Sequence, residues 1–174
     1  WDAVRAIQVE YEPLPFVTDM EAALKPGAPA IQEGGNRSGP RSQVNRGDVD
    51  KGFAEADIVL EETYRTACQI HTTLEVHVSV ARWDGDSLTV WDTTQGVFAV
   101  QASLASLFKM PLSRVRVIGH YMGGGFGSKL SLNKHTVIAA LLARRMRRPV
   151  KYALSREESF LCVGNRPAHI LKVK

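Results

Sequence analysis

The sequence predicts an α+β fold with a mixed sheet, because a hairpin is followed by two helical patterns. Two apolar runs, at 74–83 and 87–92, flank a turn at Gly85, which is the strongest hairpin signal in the chain. Apolar side chains then recur at helical spacing over 97–108 and again over 131–146. We therefore expect two principal helices that pack on the sheet containing the hairpin.

Alternating apolar residues predict two further strands beside these helices. Residues 114–118 alternate before the second helix, and residues 150–154 alternate after it. A hairpin, helix, strand, helix and strand in this order indicate an α+β unit with mixed strand pairing. The second helix is expected to bury an apolar face formed by Val137, Ile138, Leu141 and Leu142.

Shorter patterns predict the remaining elements. Residues 4–11 and 57–65 alternate like strands, and residues 19–24 and 47–53 have the composition of short helices. Asp48 or Asp50 is the expected N-cap of the second helix. A capping-box pattern that begins at Ser155 predicts another short helix. The stretch 26–50 is rich in Gly, Pro, Ser, Asn and Arg, which predicts a long surface connection.

The composition is that of a globular domain, and both ends of the chain suggest a piece of something larger. Of 174 residues, 44% are apolar and 23% are charged, which is enough to form a core. The chain begins with Trp1 and ends in a strand-like run at 168–174. We expect residues 1–56 to be a loosely structured segment and 57–174 to be the first part of a larger domain.

The net charge of +4 does not by itself predict a nucleic-acid partner. Four arginines cluster within 144–148 at a predicted helix end, where cations complement the helix dipole. A solvated helix terminus is the favoured interpretation, with an anionic partner as the alternative.

Cys68 and Cys162 have no disulfide or zinc spacing and are expected in the core. No apolar run is long enough to cross a membrane.

The chemistry is expected near the glycine loop, which we define as residues 123–129 and which holds four of the fourteen glycines. Because its glycines lack Cβ atoms, a ligand can approach the N–H groups of this loop closely. The position of the loop between a strand and a helix favours binding of an anion. A Walker A motif is excluded because Ser128 separates Gly127 from Lys129. A dinucleotide fingerprint fits poorly because its last position is also Ser128.

Gln95 is the second candidate, since it follows a predicted strand and precedes a predicted helix. Its amide offers both a donor and an acceptor to a bound group, although a solvated helix start remains the alternative. The loops around Gln95 and Gly123 are expected to open on the same side of the sheet. His71, Glu75 and His77 have no zinc spacing, and a buried hydrogen-bonded pair of Glu75 with His77 is favoured.

These motifs together resemble the molybdenum-binding large subunit of the xanthine dehydrogenase and aldehyde oxidase family. Their order and spacing agree over residues 57–174, and more loosely over 1–56. The resemblance is carried by Gln69-x-His71 with Leu74-Glu75-x-His77, Trp91-Asp92-Thr93-Thr94-Gln95-Gly96-Val97, Val115-Arg116-Val117, Gly123-Gly124-Gly125-Phe126-Gly127-Ser128-Lys129 and Arg148-Pro149-Val150-Lys151.

The resemblance implies that both parts of the chain belong to a molybdopterin-binding region, with 57–174 as the first part of the domain. It implies that Phe126 and Leu130 line a substrate channel, and that the pterin dithiolene holds molybdenum without protein ligands. The cofactor-binding residues that it implies are Gln95, Gly96, Gly124, Gly125, Phe126, Gly127 and Ser128.

The implied reaction is hydroxylation of an aldehyde or an aromatic heterocycle with oxygen derived from water. The family's general-base glutamate is expected beyond Lys174, so no catalytic residue is assigned here and the isolated piece is expected to be inactive. The implied cofactors are molybdopterin, as the mononucleotide or the cytosine dinucleotide form, and FAD and 2Fe–2S clusters in partner domains or subunits. An oligomer in the cytoplasm is expected, with the periplasm as the alternative.

One position departs from the pattern of the purine-hydroxylating members of this family. They carry a glutamate directly after the Gly-Lys of the glycine loop, where this chain has Leu130. An apolar residue there favours aldehydes as substrates. Two other functions remain as alternatives, a small module that binds phosphate or a nucleotide at the glycine loop and a non-catalytic assembly domain.

Overall fold

The computed structural model describes residues 2–37, 39 and 42–174. The chain divides into two compact units, one that ends at Asp57 and one that comprises Ile58–Lys174. Each unit is described by itself.

The first unit contains three short helices, α1 (Asp2–Arg5), α2 (Met20–Ala23) and α3 (Val49–Glu55). The carboxylate of Asp19 accepts a hydrogen bond from the Ala22 N–H at 2.6 Å and so caps α2. Asp48 caps α3 in the same way. Both predicted short helices are confirmed. None of the three helices contains a buried residue, so this unit has little apolar packing of its own.

The strand predicted over 4–11 is wrong. The chain begins in α1, and the residues that follow it have no strand assignment, with Val9 and Tyr11 58% and 85% exposed. An alternating run becomes a strand only when a second strand pairs with it and a core receives its apolar face. The described part of this unit contains no strand.

The predicted surface connection over 26–50 is irregular up to the start of α3, and most of its described residues are exposed. Ser38, Pro40 and Arg41 of this connection lie outside the described residues. Asn36 holds part of it together, because its amide nitrogen donates to the carbonyls of Ala23 and Pro29 at 2.9 Å.

The second unit is built on a four-stranded mixed sheet, which confirms the predicted α+β class. Strands β2 (Val78–Asp84) and β3 (Ser87–Asp92) form the predicted antiparallel hairpin. Strand β4 (Val115–Ile118) pairs in parallel with β3, and β5 (Val150–Ala153) pairs antiparallel with β2. The strand order is therefore β4-β3-β2-β5.

The two principal helices, α4 (Val97–Leu107) and α5 (Lys134–Met146), form one apolar core with alternate residues of the sheet. Complete burial of one Leu or Val side chain stabilises a fold by about 1.5–3 kcal/mol. The core residues that the sheet and the helices share include Ala81, Leu88, Val90, Val100, Leu104, Val115, Val117, Ala139, Ala140 and Ala143.

The face of α5 that packs on the sheet differs from the predicted one. Ile138, Leu141 and Leu142 are 40%, 50% and 43% exposed, and Val137 is only partly buried. The face toward the sheet carries small and polar residues instead, namely His135, Thr136, Ala139, Ala140 and Ala143. Small side chains let the helix approach the sheet closely, and helical periodicity alone does not say which of two faces does so.

A two-stranded antiparallel ribbon accompanies the sheet. It pairs β1 (Glu62–Thr66) with β6 (His169–Val173), so the predicted strand at 57–65 begins later than expected. The predicted helix after Ser155 is α6 (Arg156–Leu161), and its capping box is present. The Ser155 hydroxyl accepts from the Glu158 N–H at 3.1 Å, and the Glu158 carboxylate accepts from the Ser155 N–H.

The core prediction for the two cysteines is wrong, because Cys68 and Cys162 are both exposed. Cys68 lies two residues after the end of β1, and Cys162 lies directly after the end of α6. The arginines of 144–148 are exposed as predicted, and the guanidinium of Arg144 lies 5.0 Å from the ring centre of Trp83.

The topology brings four chain segments to one edge of the sheet. Because β3 and β4 are parallel and joined by α4, the loops that follow them leave at the same edge. The start of β2 and the end of β5 lie there as well, since Ser79 pairs with Asp92 and Val78 pairs with Ala153. We call this the carboxyl edge.

Candidate functional site

Two loops meet at the carboxyl edge, one that follows β3 and the glycine loop that follows β4. The N–H of Gln95 donates to the carbonyl of Lys129 at 2.8 Å. The hydroxyl of Thr94 donates to the same carbonyl at 3.0 Å. The predicted convergence of the loops around Gln95 and Gly123 is thus confirmed, and Lys129 is the point of contact.

The side chain of Gln95 braces the glycine loop from within. Its Oε1 accepts from the N–H groups of Gly127 at 2.9 Å and Lys129 at 3.3 Å. A Cβ at position 125 would overlap the Gln95 amide, so glycine there lets the Gln95 side chain lie against the loop. Since its oxygen is occupied and its amide nitrogen has no acceptor among the described residues, Gln95 retains a donor for a ligand.

Hydrogen bonds within the glycine loop hold its end in place. The N–H and the hydroxyl of Ser128 both donate to the carbonyl of Gly125, at 2.9 and 2.8 Å. Ser128 is buried, so its hydroxyl faces the loop. At Gly96 an added Cβ would lie 2.7 Å from the carbonyl oxygen of Leu130, and glycine there lets the two loops touch.

Phe126 lies at the exposed tip of the glycine loop in a left-handed conformation. Its φ is +50°, which costs a bulky residue about 1–2 kcal/mol, and its side chain is 73% exposed. The N–H groups of Gly124, Gly125 and Phe126 have no hydrogen-bond acceptor among the described residues. Consecutive free N–H groups of this kind form a concavity that suits oxygen atoms.

An ion pair lies behind the glycine loop. Lys129 is completely buried, and its Nζ donates to Glu75 Oε2 at 2.8 Å and to the Glu75 carbonyl at 3.3 Å. The predicted Glu75–His77 pair is therefore wrong. Glu75 instead binds Lys129 and the Gly123 N–H, the latter at 2.8 Å. Alternation along an extended segment places two residues on one face but does not reveal a distant cation.

The charge state of Glu75 follows from these contacts. Burial raises the pKa of its carboxyl, but the hydrogen bonds from Lys129 and Gly123 and the charge of Lys129 outweigh that effect. The net result is a pKa below the ordinary value. Glu75 is thus an anion at neutral pH, held by a buried cation.

Two histidines, His77 and His71, lie close to the glycine loop. The Nε2–H of His77 donates to the carbonyl of Ser128 at 3.3 Å. Burial lowers the pKa of His77, the hydrogen bond to Ser128 partly opposes that effect, and the positive charge of Lys129 adds to it. His77 is therefore neutral. Its Nδ1 and the Nδ1 of His71 are buried without a hydrogen-bond partner.

A polar network continues beneath the loops into the sheet. The hydroxyl of Ser79 donates to Asp92 Oδ1 at 2.5 Å, and Thr136 donates to the same oxygen at 3.4 Å. Burial raises the pKa of Asp92 more than these bonds lower it. His135 Nε2 lies 3.9 Å from Asp92 Oδ1, but burial lowers the pKa of His135 to about 4, so the contact is not an ion pair at neutral pH.

The sequence predicted the two loops of this site but not the hydrogen bonds and the ion pair that hold them in place. Gln95 and the glycine loop come together as expected, whereas the contacts of Thr94 and Lys129 were not anticipated. A lysine inside a glycine run, with a glutamate elsewhere in the chain, is a signal for such a pair, but the sequence does not give the distance between them.

The site lies within a stretch that matches a known protein family. The sequence model of the molybdopterin cofactor-binding domain matches residues 32–174, which include both loops and the ion pair. The chain belongs to this family.

Relatives of this molybdopterin cofactor-binding domain are parts of larger proteins. The aldehyde oxidoreductase molybdenum-binding subunit of Escherichia coli is 42% identical over 124 residues, which cover 71% of this chain and 17% of that subunit. The solved structure of quinoline 2-oxidoreductase from Pseudomonas putida is 30% identical with a TM-score of 0.76, covering 94% of this chain and 21% of that one.

The aldehyde oxidoreductase of Desulfovibrio gigas has a TM-score of 0.84 over 96% of this chain and 18% of that one. At 24% identity this likeness shows the fold alone. This chain thus spans only about a fifth of the length of these relatives.

The residues at the carboxyl edge fit the cofactor after which the family is named. Three free N–H groups and the Gln95 amide nitrogen are donors, and a pterin with oxo groups is rich in acceptor oxygens. The described residues contain no group of three His, Cys, Asp or Glu side chains able to hold a metal. None of the helices described has the length and apolar composition that a membrane crossing requires.

Proposed function

We propose that this domain forms one wall of the cofactor site of a molybdenum hydroxylase, an enzyme that oxidises aldehydes or aromatic heterocycles with water-derived oxygen. The observation that carries this proposal is the convergence of the Gln95 amide with three free loop N–H groups at one sheet edge. Relatives named as an aldehyde oxidoreductase and a quinoline oxidoreductase support it.

Each predicted binding residue has a role in this proposal. The amide nitrogen of Gln95 donates to an oxygen of the metal centre. The N–H groups of Gly124, Gly125 and Phe126 donate to oxygens of the cofactor. Gly96, Gly127 and Ser128 act mainly through the loops, because their backbone atoms or hydroxyl already contact neighbouring loop residues.

The bound molybdenum–pterin group supplies two-electron oxidation chemistry that the side chains of this chain lack. The residues of this chain bind and orient it. Proton abstraction is assigned to a glutamate outside residues 1–174. Glu75 is unsuited to that role, since its pKa is lowered and its carboxylate is occupied by Lys129 and Gly123.

The substrate class is proposed from two exposed apolar side chains. Phe126, inside the glycine loop, and Leu130, directly after it, are 73% and 54% exposed. A channel lined by these residues offers no carboxylate to a purine, so aldehydes are the favoured substrates.

The remaining assignments concern the whole protein. We propose that 1–56 is the amino-terminal segment and 57–174 the first part of the molybdopterin-binding domain. Partner domains or subunits of an oligomer would hold 2Fe–2S clusters and FAD, which would accept the electrons. The cofactor is molybdopterin as the mononucleotide or the cytosine dinucleotide, and the compartment is the cytoplasm, with the periplasm as the alternative.

Metal and pterin analysis of the intact protein, beside residues 1–174 produced alone, tests the proposal. We expect molybdenum and pterin in the intact protein and little in the separate piece, because this chain provides only one wall of the site. An intact protein without molybdenum would contradict the proposal and would favour the phosphate-binding alternative for the glycine loop.

Turnover of an aldehyde series and of xanthine tests the substrate class. We expect efficient aldehyde oxidation and little xanthine turnover. The variant Leu130→Glu should shift the ratio of the two kcat/KM values toward xanthine, because it restores the carboxylate that purine-hydroxylating members carry. Efficient xanthine turnover by the unmodified enzyme, without aldehyde activity, would exclude aldehydes.

A further inference from the structure

Lys129 is an unusual residue to bury completely. Its side chain is 0% exposed, and Glu75, 33% exposed, is its counterion. Replacement of a buried ion pair by apolar residues of similar size is often neutral or stabilising. Fold stability alone therefore does not account for a lysine at this position, and the geometry of the pair suggests another role.

The carboxylate of Glu75 holds the first residue of the glycine loop. Its Oε2 accepts from the Gly123 N–H at 2.8 Å, and the Glu75 N–H donates to the Gly123 carbonyl at 3.2 Å. The same Oε2 accepts from Lys129 Nζ, which belongs to the last residue of the loop. One carboxylate oxygen thus connects both ends of the glycine loop.

Lys129 connects this pair to the other loop. Its carbonyl accepts from Gln95 and Thr94, and its N–H donates to the Gln95 amide oxygen. The glycine loop is therefore closed at its two ends by Glu75 and braced in its middle by Gln95. Between these fixed points lie the free N–H groups of Gly124, Gly125 and Phe126.

A loop with this glycine content has a large conformational entropy unless it is restrained. Three N–H groups bind one ligand well only if they are held in place before it arrives. We propose that the Glu75–Lys129 ion pair is a positioning device that closes both ends of the glycine loop and thereby sets retention of the molybdenum cofactor. This inference rests on the proposed function.

The experiment uses the intact enzyme with its cofactor and the double variant Glu75→Gln with Lys129→Met. This double variant removes both charges together and leaves no buried ion unpaired, so we expect it to fold with a melting temperature near that of the unmodified enzyme. Its molybdenum and pterin should be lost about 10- to 100-fold faster on dilution, as is usual when groups that orient a metal site are removed. The Mo(V) EPR signal of the remaining cofactor should also shift.

A second variant keeps the test decisive if the double variant does not fold. Glu75→Asp retains the charge opposite Lys129 but shortens the reach to the Gly123 N–H, so cofactor release should again be faster. The matched control is Asp86→Asn, which removes the exposed ion pair with Arg114 (3.3 Å) and should leave release unchanged.

The outcomes separate this inference from the proposed function. An unmodified enzyme without molybdenum contradicts the proposed function itself. If the unmodified enzyme contains molybdenum and the folded variants release it at the unmodified rate with an unchanged EPR signal, the positioning role of the ion pair is excluded while the proposed function stands.

Discussion

The interior of the Ile58–Lys174 unit consists of two regions that differ in chemistry. Near the hairpin turn it is apolar, and we define this apolar region by Leu88, Val90, Val100, Leu104 and Val115. Beneath the two loops it is polar, and we define this polar region by His77, Ser79, Asp92, Lys129, His135 and Thr136.

The change occurs along single elements. Strand β3 carries Leu88 and Val90 in the apolar region and ends in buried Asp92. Buried polar groups cost free energy unless they are paired, whereas buried apolar groups stabilise directly. The comparison teaches that the apolar region supplies most of the stability and that the polar region fixes the geometry of the site.

Leu104→Ala should have the largest effect, because Leu104 is 0% exposed in the apolar region. We expect a loss of about 2–5 kcal/mol in unfolding free energy, from lost burial and the cavity that remains. Amide hydrogen exchange across α4 and β4 measures it. Leu107→Ala on the same helix, at a 53% exposed position, is the control, and its unfolding free energy should change by less than about 0.5 kcal/mol.

Molybdenum retention should not change in Leu104→Ala. Loss of the cofactor from this variant without a loss of stability would contradict the division into two regions.

Acid should weaken the polar region next. The pKa of His135 is about 4 in the fold against 6.5 ordinarily. As the pH falls below 6.5, His135 therefore binds a proton in the unfolded chain, whereas in the folded chain it stays neutral until about pH 4. The free energy of unfolding is therefore highest above pH 6.5. It decreases as the pH falls from 6.5 to about 4, by about 3 kcal/mol in total.

The lowered pKa of His77 acts in the same direction, and the raised pKa of Asp92 acts in the opposite one. Urea unfolding between pH 7 and 4.5 measures the balance, and His135→Gln should flatten the dependence. A dependence that is equally steep in that variant would show that His135 is not its origin.

Gly123→Ala should have an intermediate effect. Its Cβ would lie 2.6 Å from the Cβ of Glu75, so backbone has to move, which typically costs about 1–3 kcal/mol. Gly52→Ala in α3 is the control, since nothing lies within 4 Å of its added Cβ, and it should stabilise by about 0.4–1 kcal/mol. Melting temperature and molybdenum content are the measurements. Equal effects of the two substitutions would contradict close packing of the loop against Glu75.

Asp84→Asn should have the smallest effect. It removes an ion pair with Arg82 at 2.7 Å, but the two side chains are 63% and 47% exposed. Water screens such a pair, so the change in unfolding free energy should be below about 1 kcal/mol and should vanish at high salt. A larger effect that persists in salt would mean that exposure is not what separates this pair from Glu75–Lys129.

Several elements could be predicted because their signals are local. The turn at Gly85, the caps at Asp48 and Ser155, and the helix that ends near Phe108 depend on neighbouring residues only. The predictions of a strand at 4–11 and of the buried face of α5 were wrong. Alternation does not specify a pairing strand, and helical spacing does not specify which face packs on the sheet.

The sequence by itself determined the α+β class, the family and the two loops. Glycine runs, turns and the succession of strands and helices depend on residues that are close together in the chain. Only the tertiary structure decided that Glu75 closes the glycine loop through Lys129 and that Gln95 braces it. Those contacts join residues 32 to 54 positions apart. These residues come together because β3 pairs in parallel with β4 and antiparallel with β2, and no local pattern specifies that pairing.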